Sequence, residues 1–425
     1  MQLKQQILNN KIIIQNFSYL SLFQVFTLVI PLITYPYLIK VVGLELYGVV
    51  IFAQTIVSYI SLVINFGFNI SGPRDVAIYK NDHDLLSKYV SSIYIIKLGI
   101  WLICFLLYMI LINSLQFFKE YRIVYFFAYF ITFNDLLFPI WFFQGIEKMK
   151  YITYINLFVR SLFVIAIFVF IKKSVDFIYI PLLNGIGALV SGSIALYIVF
   201  KKEGVVFTRV SKQMLWSQLK DGFSLFISTI SIQLYLNVNK LIIGRFLGMS
   251  EVTIYDLAQK IILVLKIPIG MFSQAIFPKI SRERSIKFIN KMMFFAVSVI
   301  IIMYLFLYFS SNWIVLTLMH RKMPLAVSVI RILGFSIIFV ALNTFLGSNR
   351  LIPFGLNKKF MTATIYNSIV YFLLIGFLFA FHLINIYTIS YTYVSVEVFA
   401  FILLLYINKR LNLLWSRSNE NIKFK

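Results

Sequence analysis

Apolar runs of 18 residues or more recur along almost the whole chain, at approximately 14–38, 46–70, 89–112, 122–143, 152–171, 178–200, 220–244, 252–277, 292–316, 325–347, 361–382 and 386–407. An α-helix rises 1.5 Å per residue, so each run is long enough to cross roughly 30 Å of hydrocarbon. Lipid offers the backbone no hydrogen bonds, which leaves helices and closed barrels as the only spanning structures. A barrel would show segments of about 10 residues alternating with period two. These runs are longer and continuous. The pattern predicts an all-α polytopic membrane protein of twelve transmembrane helices.

A mean hydropathy of +0.90 over 425 residues, 61% of them hydrophobic, agrees with that class. The formal charge of +24 would suggest a nucleic-acid partner in a soluble protein, but here the cations sit mostly between spans. There they anchor to anionic lipid heads and orient insertion, so no nucleic acid is expected. With the N-terminus, 25 cations fall on one side, among them Lys4, Lys11, Arg74, Lys80, Lys88, Lys201, Lys202, the loop residue Arg350, Arg417, Lys423 and Lys425, against 9 on the other, which predicts both termini on the cytoplasmic side. The first run, preceded by Lys4 and Lys11, is too long for a signal peptide and no small-residue cleavage site follows it. It reads as the first span.

Cys104 is the single cysteine, and His83, His320 and His382 lie far apart, so neither a disulfide nor a metal site is expected. No P-loop is present, no cofactor is indicated, and the connections are too short to house a catalytic centre.

A polar connection at 201–219 separates two blocks of six spans, giving lobes 1–203 and 204–425. A shift of 205 positions places Lys40 on Arg245, Gly43 on Gly248, Ala53-Gln54 on Ala258-Gln259 and Pro73-Arg74 on Pro278-Lys279. A shift of 210 places Gly145 on Gly355 and Lys148 on Lys358. Two pseudo-symmetric six-helix bundles follow, a transporter architecture. Pro31, Pro36, Pro139, Pro181, Pro268 and Pro353 fall in or beside spans, where each removes a backbone donor; they are either bending points or tolerated kinks.

Away from the span ends the ionisable residues are Lys97, Asp135, Arg160, Asp256, Lys260, Lys266, Arg331 and Glu397. A charge at the bilayer centre costs about 3 kcal/mol on an insertion scale, so the cations should face a hydrated interior. Asp256 and Lys260, four apart, can neutralise each other on one helix face. Lys266 and Arg160 have no helical acidic partner and are the strongest candidates for a cavity. Lys97 and Arg331 lie near enough to a span end to snorkel instead. Asp135 can pair with a cation or bind a coupling ion, and Glu397 has the weakest claim. A cationic interior of Lys97, Arg160, Lys260, Lys266 and Arg331 suits a phosphate or pyrophosphate.

The block PIWFFQGIEKMKYIT from Pro139 to Thr153, with PYLIKVVGLELYG from Pro36 to Gly48 and FGFNISGPRDVA from Phe66 to Ala77, resembles the O-antigen and polysaccharide flippases. These are the Wzx-type branch of the multidrug/oligosaccharidyl-lipid/polysaccharide exporter superfamily. The resemblance implies twelve helices in two bundles, and flipping of undecaprenyl-pyrophosphate-linked oligosaccharide across the bacterial inner membrane by alternating access. The candidate partners are membrane lipids, a coupling ion (H+ or Na+) and the polysaccharide polymerase machinery. The stretch IYDLAQKI, Ile254 to Ile261, departs from the family pattern at Asp256. An ion-coupled small-molecule exporter of the same superfamily and a polysaccharide polymerase remain as alternative readings.

Overall fold

A computed structural model describes residues 2–414, with side chains from residue 15 onward except at 17, 28, 224, 228, 229 and 231–236. The terminal cations Arg417, Lys423 and Lys425, and the side chains of Lys4 and Lys11, lie outside the described residues. Among those residues the chain is helical and contains no strand. The helices are α1 (Gln2–Val42), α2 (Leu44–Asn65), α3 (Phe68–Tyr79), α4 (His83–Ser114), α5 (Arg122–Tyr129), α6 (Phe133–Leu137), α7 (Ile140–Gly145) and α8 (Lys150–Phe170). They continue with α9 (Tyr179–Tyr197), α10 (Lys212–Phe246), α11 (Met249–Glu283), α12 (Ile286–Met319), α13 (Pro324–Leu346), α14 (Ser348–Leu351), α15 (Asn357–Ala380) and α16 (Ile386–Arg410).

Eleven segments among the described residues are long and apolar enough to cross a membrane. The expected seventh span, 220–244, falls in α10, where several of its residues lie outside the described side chains. This is a multi-pass membrane protein. Two spans depart from the continuous helices that hydropathy predicts. The second breaks between α2 and α3, where Phe66 (φ 42°) and Gly67 (φ 81°) are both left-handed. The fourth is divided into α5, α6 and α7, with Pro139 at the last break. Proline cannot donate to the helix ladder, so that interruption has a local cause.

Helix starts carry ordinary signals. Asp82 accepts from the Leu85 amide at 3.0 Å, Ser285 from Phe288 at 3.3 Å, and Asn385 forms a capping box with Thr388. These caps satisfy backbone donors that the first turn leaves free.

The contacts define two compact units: residues up to Gly244 with Gly248–Thr253, and Arg245–Leu247 with the chain from Ile254 on. In the first, the Trp141-Phe142-Phe143 run is buried in the core with Tyr89, Ile93 and Ile152. Two glycines let α3 and α7 meet there. A Cβ on Gly72 would lie 2.8 Å from the Trp141 Cβ, and one on Gly145 would lie 2.5 Å from the Val76 Cβ. Sequence blocks that carried the family resemblance are therefore packing devices that interlock. The beginning of α11 belongs to the same unit: Thr253 donates to the Leu44 carbonyl at 2.7 Å, and its own carbonyl accepts from buried Tyr35 at 2.8 Å. The connection after α9 runs along α4, where the Val206 and Thr208 amides donate to the Ser87 and Ser91 hydroxyls at 3.1 and 3.0 Å.

One pair of positions related by the 205-residue shift has positive φ at the turn. Gly43, before α2, has φ 90° and Gly248, before α11, has φ 131°, both in the region that glycine adopts without the clash a Cβ would bring. Gly244 serves differently, since a Cβ there would lie 2.3 Å from the Phe52 ring. At the other end of the 210-residue shift, Gly355 has φ 78° whereas Gly145 is helical.

The second unit packs α13 against α12 and α16, with α15 on α16. Gly334 admits Leu307 and Tyr304 of α12, the nearest atom lying 2.9 Å from the position of a Cβ.

Gly48 gives the sharpest packing test, because a Cβ there would lie 1.8 Å from the Met249 carbonyl oxygen, whereas nothing lies within 4 Å of one on Gly99. Gly48→Ala is expected to cost about 3 kcal/mol by forcing backbone apart, and Gly99→Ala to be neutral or slightly stabilising. Melting of the two variants in detergent checks this; equal melting temperatures would refute the contact.

Candidate functional site

The first unit contains a polar cluster inside its spans. Lys97 on α4 is only 1% exposed, and its Nζ donates to the Asn65 side-chain oxygen at 3.0 Å and to the Asp135 backbone carbonyl at 2.9 Å. Asn65 at the end of α2 donates in turn to the Asp135 carboxylate at 2.7 Å. The ammonium thus faces inward rather than snorkelling to a span end. Its position follows from the two interruptions described above. Helix α2 stops at Asn65 and α6 is a single short turn, so the chain can present an amide side chain and a free carbonyl at the same place.

Arg160 on α8 is half-buried, and its guanidinium lies over the Phe23 ring of α1 at 5.6 Å. Among the described residues it has no hydrogen-bond partner. A cation over an aromatic face is worth about 1 kcal/mol, less than the cost of leaving water, so Arg160 keeps its capacity to bind an anion.

The second unit holds the other three candidate cations. Lys260 is spent on Asp256 in a one-turn ion pair along α11. Lys266, without an acidic partner on its own helix, reaches the Tyr393 hydroxyl of α16 at 2.8 Å. Glu397 lies one turn further along α16, within electrostatic range of Lys266, and accepts at 2.9 Å from Asn343 of α13. The Asn343 side-chain oxygen is buried and has no partner. Lys266, Tyr393, Glu397 and Asn343 therefore form a polar string across three helices. Glu397, which looked least promising in the sequence, is part of it; a separation of 131 residues from Lys266 left no local signal.

Arg331 on α13 belongs to a different environment. Its Nε donates to the Ser311 hydroxyl at 2.9 Å and the Tyr308 carbonyl at 3.2 Å, and the guanidinium sits 4.3 Å from the Tyr308 ring centre. It lines an open cavity of about 400 Å³. The α16 residues there, Tyr387, Tyr391 and Val394, occupy another face of the helix from Tyr393 and Glu397.

One buried cation escaped the sequence reading altogether. Arg350 was grouped with the loop cations, yet it is 0% exposed. Its guanidinium donates to the Leu413 carbonyl at 3.1 Å and to the Asn290 side chain, while Asn290 donates to the Leu414 carbonyl at 2.8 Å. It staples the start of α12 and the segment after α16 to α14. No group of three metal-ligating side chains occurs among the described residues.

A family model described as "Polysaccharide biosynthesis protein" matches residues 13–284. The chain belongs to that family. Among relatives of this family member, a protein of Escherichia coli (strain K12) named "Putative O-antigen transporter" is 29% identical over 269 residues, 63% of this chain and 64% of that one. A protein of the same name from Shigella dysenteriae is 28% identical over 272 residues, 63% of this chain and 67% of that one. The alignments thus span about two thirds of each relative. In fold, this member of the family is similar to the lipid II flippase MurJ in an inward closed conformation, with a TM-score of 0.73 at 16% identity over 93% of this chain and 89% of that one. It is also similar to an inward-facing multidrug resistance MATE family transporter of the MOP superfamily, with a TM-score of 0.71 at 15% identity over 91% and 95% of the two chains.

Removing the ammonium from the first cluster leaves the Asn65 oxygen and the Asp135 carbonyl without a donor. Lys97→Met is expected to cost about 3 kcal/mol, and Asn65→Leu a similar amount, because each orphans polar groups inside a span. Thermal unfolding of the detergent-solubilised variants reads the effect; wild-type melting would show that the cluster contributes no stability.

Proposed function

We propose that this protein translocates lipid-linked oligosaccharide, of the undecaprenyl-pyrophosphate-linked O-antigen type, from the cytoplasmic to the outer leaflet of the bacterial inner membrane. The observation that carries the reading is electrostatic. Lys97, Arg160, Lys266 and Arg331 all lie in spans, and none forms a direct ion pair with a carboxylate. A protein that keeps such charges in lipid recovers their cost when an anion binds. The family membership and the O-antigen transporter names of its relatives support the same substrate class.

In this reading Arg160 in the first unit and Lys266 in the second are each a candidate to hold the pyrophosphate through charge-assisted hydrogen bonds, and Lys97 and Arg331 are further candidate cations within their own units. Lys260 is a weaker participant because Asp256 competes for it. The sugars pass through a hydrated interior while the polyprenyl tail stays in lipid. Two lobes, 1–203 and 204–425, rock to exchange access, with both termini cytoplasmic. Asp135 is the candidate for H+ or Na+ coupling, since it lies beside Lys97 and gains or loses a neighbouring charge as substrate binds. Contact with the polysaccharide polymerase would receive the flipped unit. No covalent step is required, so the protein acts as a transporter rather than an enzyme.

The MATE-like fold supports a second reading, export of small molecules coupled to an ion. An excess of unpaired cations in the spans counts against cationic drugs as cargo.

Arg160→Ala and Lys266→Ala are each expected to lower surface polysaccharide at least tenfold in a strain lacking its own copy, with membrane insertion unchanged. Normal polysaccharide from both variants would defeat the assignment, and efflux of a dye from vesicles would favour the exporter.

A further inference from the structure

The cavity around Arg331 has the makings of a second anion site, separate from Lys266. Its wall comes from α12, α13 and α16, and Tyr304, Tyr308, Ser328, Arg331, Tyr387 and Tyr391 supply the polar lining. No carboxylate lines it. The field inside is therefore positive, and four tyrosines offer hydroxyls and ring faces to whatever enters.

The geometry of the guanidinium argues against an arginine that merely reaches for the membrane surface. Arg331 lies seven residues in from Pro324, about 10 Å along α13. Its partners Ser311 and Tyr308 precede Met319, the end of α12, by eight and eleven residues, about 12 and 16 Å. Since α12 and α13 are antiparallel neighbours joined by a short turn, the Nε is held level with or deeper than its own Cα. Snorkelling would turn it the other way. Bonding through Nε alone also leaves the two terminal nitrogens without a hydrogen-bond partner among the described residues. Those nitrogens form the fork that matches a phosphate. Stacking on Tyr308 fixes the plane of the fork before any ligand arrives.

We propose that this cavity binds the phosphate head of an anionic membrane lipid, with the terminal nitrogens of Arg331 on the phosphate and the tyrosine wall against the polar group it carries. The cavity is open and bordered by exposed Tyr387 and Tyr391, which leaves a lipid headgroup a way in. The proposal goes beyond the flippase reading and survives its failure, because retention of a lipid is measured without any translocation.

The test uses the full chain in phosphatidylcholine nanodiscs doped with either phosphatidylglycerol or a polyprenyl phosphate, followed by native mass spectrometry of the released protein. Wild type should retain one anionic lipid in preference to phosphatidylcholine. Arg331→Gln should lower that retention about tenfold, the loss of one forked charge-assisted contact. Arg331→Lys should fall between, because a point charge cannot supply two parallel donors. Lys172→Gln, at an exposed connection, should match wild type. Retention of phosphatidylglycerol would identify the occupant as surrounding lipid, and selective retention of the polyprenyl phosphate would identify it as the transported head; either supports the site. Equal retention by wild type and Arg331→Gln, or no preference over phosphatidylcholine, overturns it. Should Arg331→Gln fail to elute as a folded species, Tyr391→Ala must lower retention, and unchanged retention in that variant overturns the proposal too.

Discussion

A positive charge inside hydrocarbon has to find an oxygen, and much of the interior design of this protein follows from that need. Lys97 finds an amide oxygen and a backbone carbonyl, Lys260 a carboxylate, Lys266 a phenol, and Arg350 a carbonyl with a second amide. Three kinds of solution appear on one chain, the amide oxygen with a carbonyl being used twice. Among these four cations, the Asp256–Lys260 solution alone is a direct ion pair; Lys97 and Lys266 have a carboxylate nearby, Asp135 and Glu397, but bond to neutral oxygens. Neutral oxygen partners hold an ammonium or guanidinium in place yet leave a positive potential around it, which is the property an anion carrier needs.

The same economy applies to the backbone. Interrupting a spanning helix frees carbonyls and amides that lipid cannot satisfy, so a break is tolerated only where protein covers it. In the first unit the two breaks, at Phe66-Gly67 and around Pro139, flank α3 and α7, and those short helices pack through Gly72 and Gly145 against Trp141 and Val76. The freed Asp135 carbonyl is used by Lys97. Packing and polar satisfaction are thus solved together, and the glycines that look like family markers are what lets the broken pieces come close.

The spans were legible in the sequence because hydropathy depends on composition over about 20 residues and tolerates error at any one of them. Pro139 also announced its own break. The break at Phe66-Gly67 is only half announced, since Gly67 accepts a left-handed backbone freely whereas Phe66 has no such preference. Among site residues, Asp256 and Lys260 could be paired by counting along one helix. Glu397 with Lys266, or Asn65 with Lys97 and Asp135, could not, since those neighbours come from different helices. Arg350 was misplaced for a related reason. It follows a span and Ser348-Asn349 and stands just before Pro353 and Gly355, the pattern of a loop, while the segment after α16 meets it and it is fully buried.

The connection after α9 carries one more implication, for how the molecule is made. Its amides at Val206 and Thr208 close on serine hydroxyls that α4 presents from one face, and Val205 just before them is buried. Those bonds require α4 to be in place to present Ser87 and Ser91. Synthesis proceeds from the N-terminus, so the early helices offer a finished cradle before the rest of the chain emerges. The connection is thus a strap seated on α4, and α10 starts four residues beyond its last bond, from a point tied to the preceding helices.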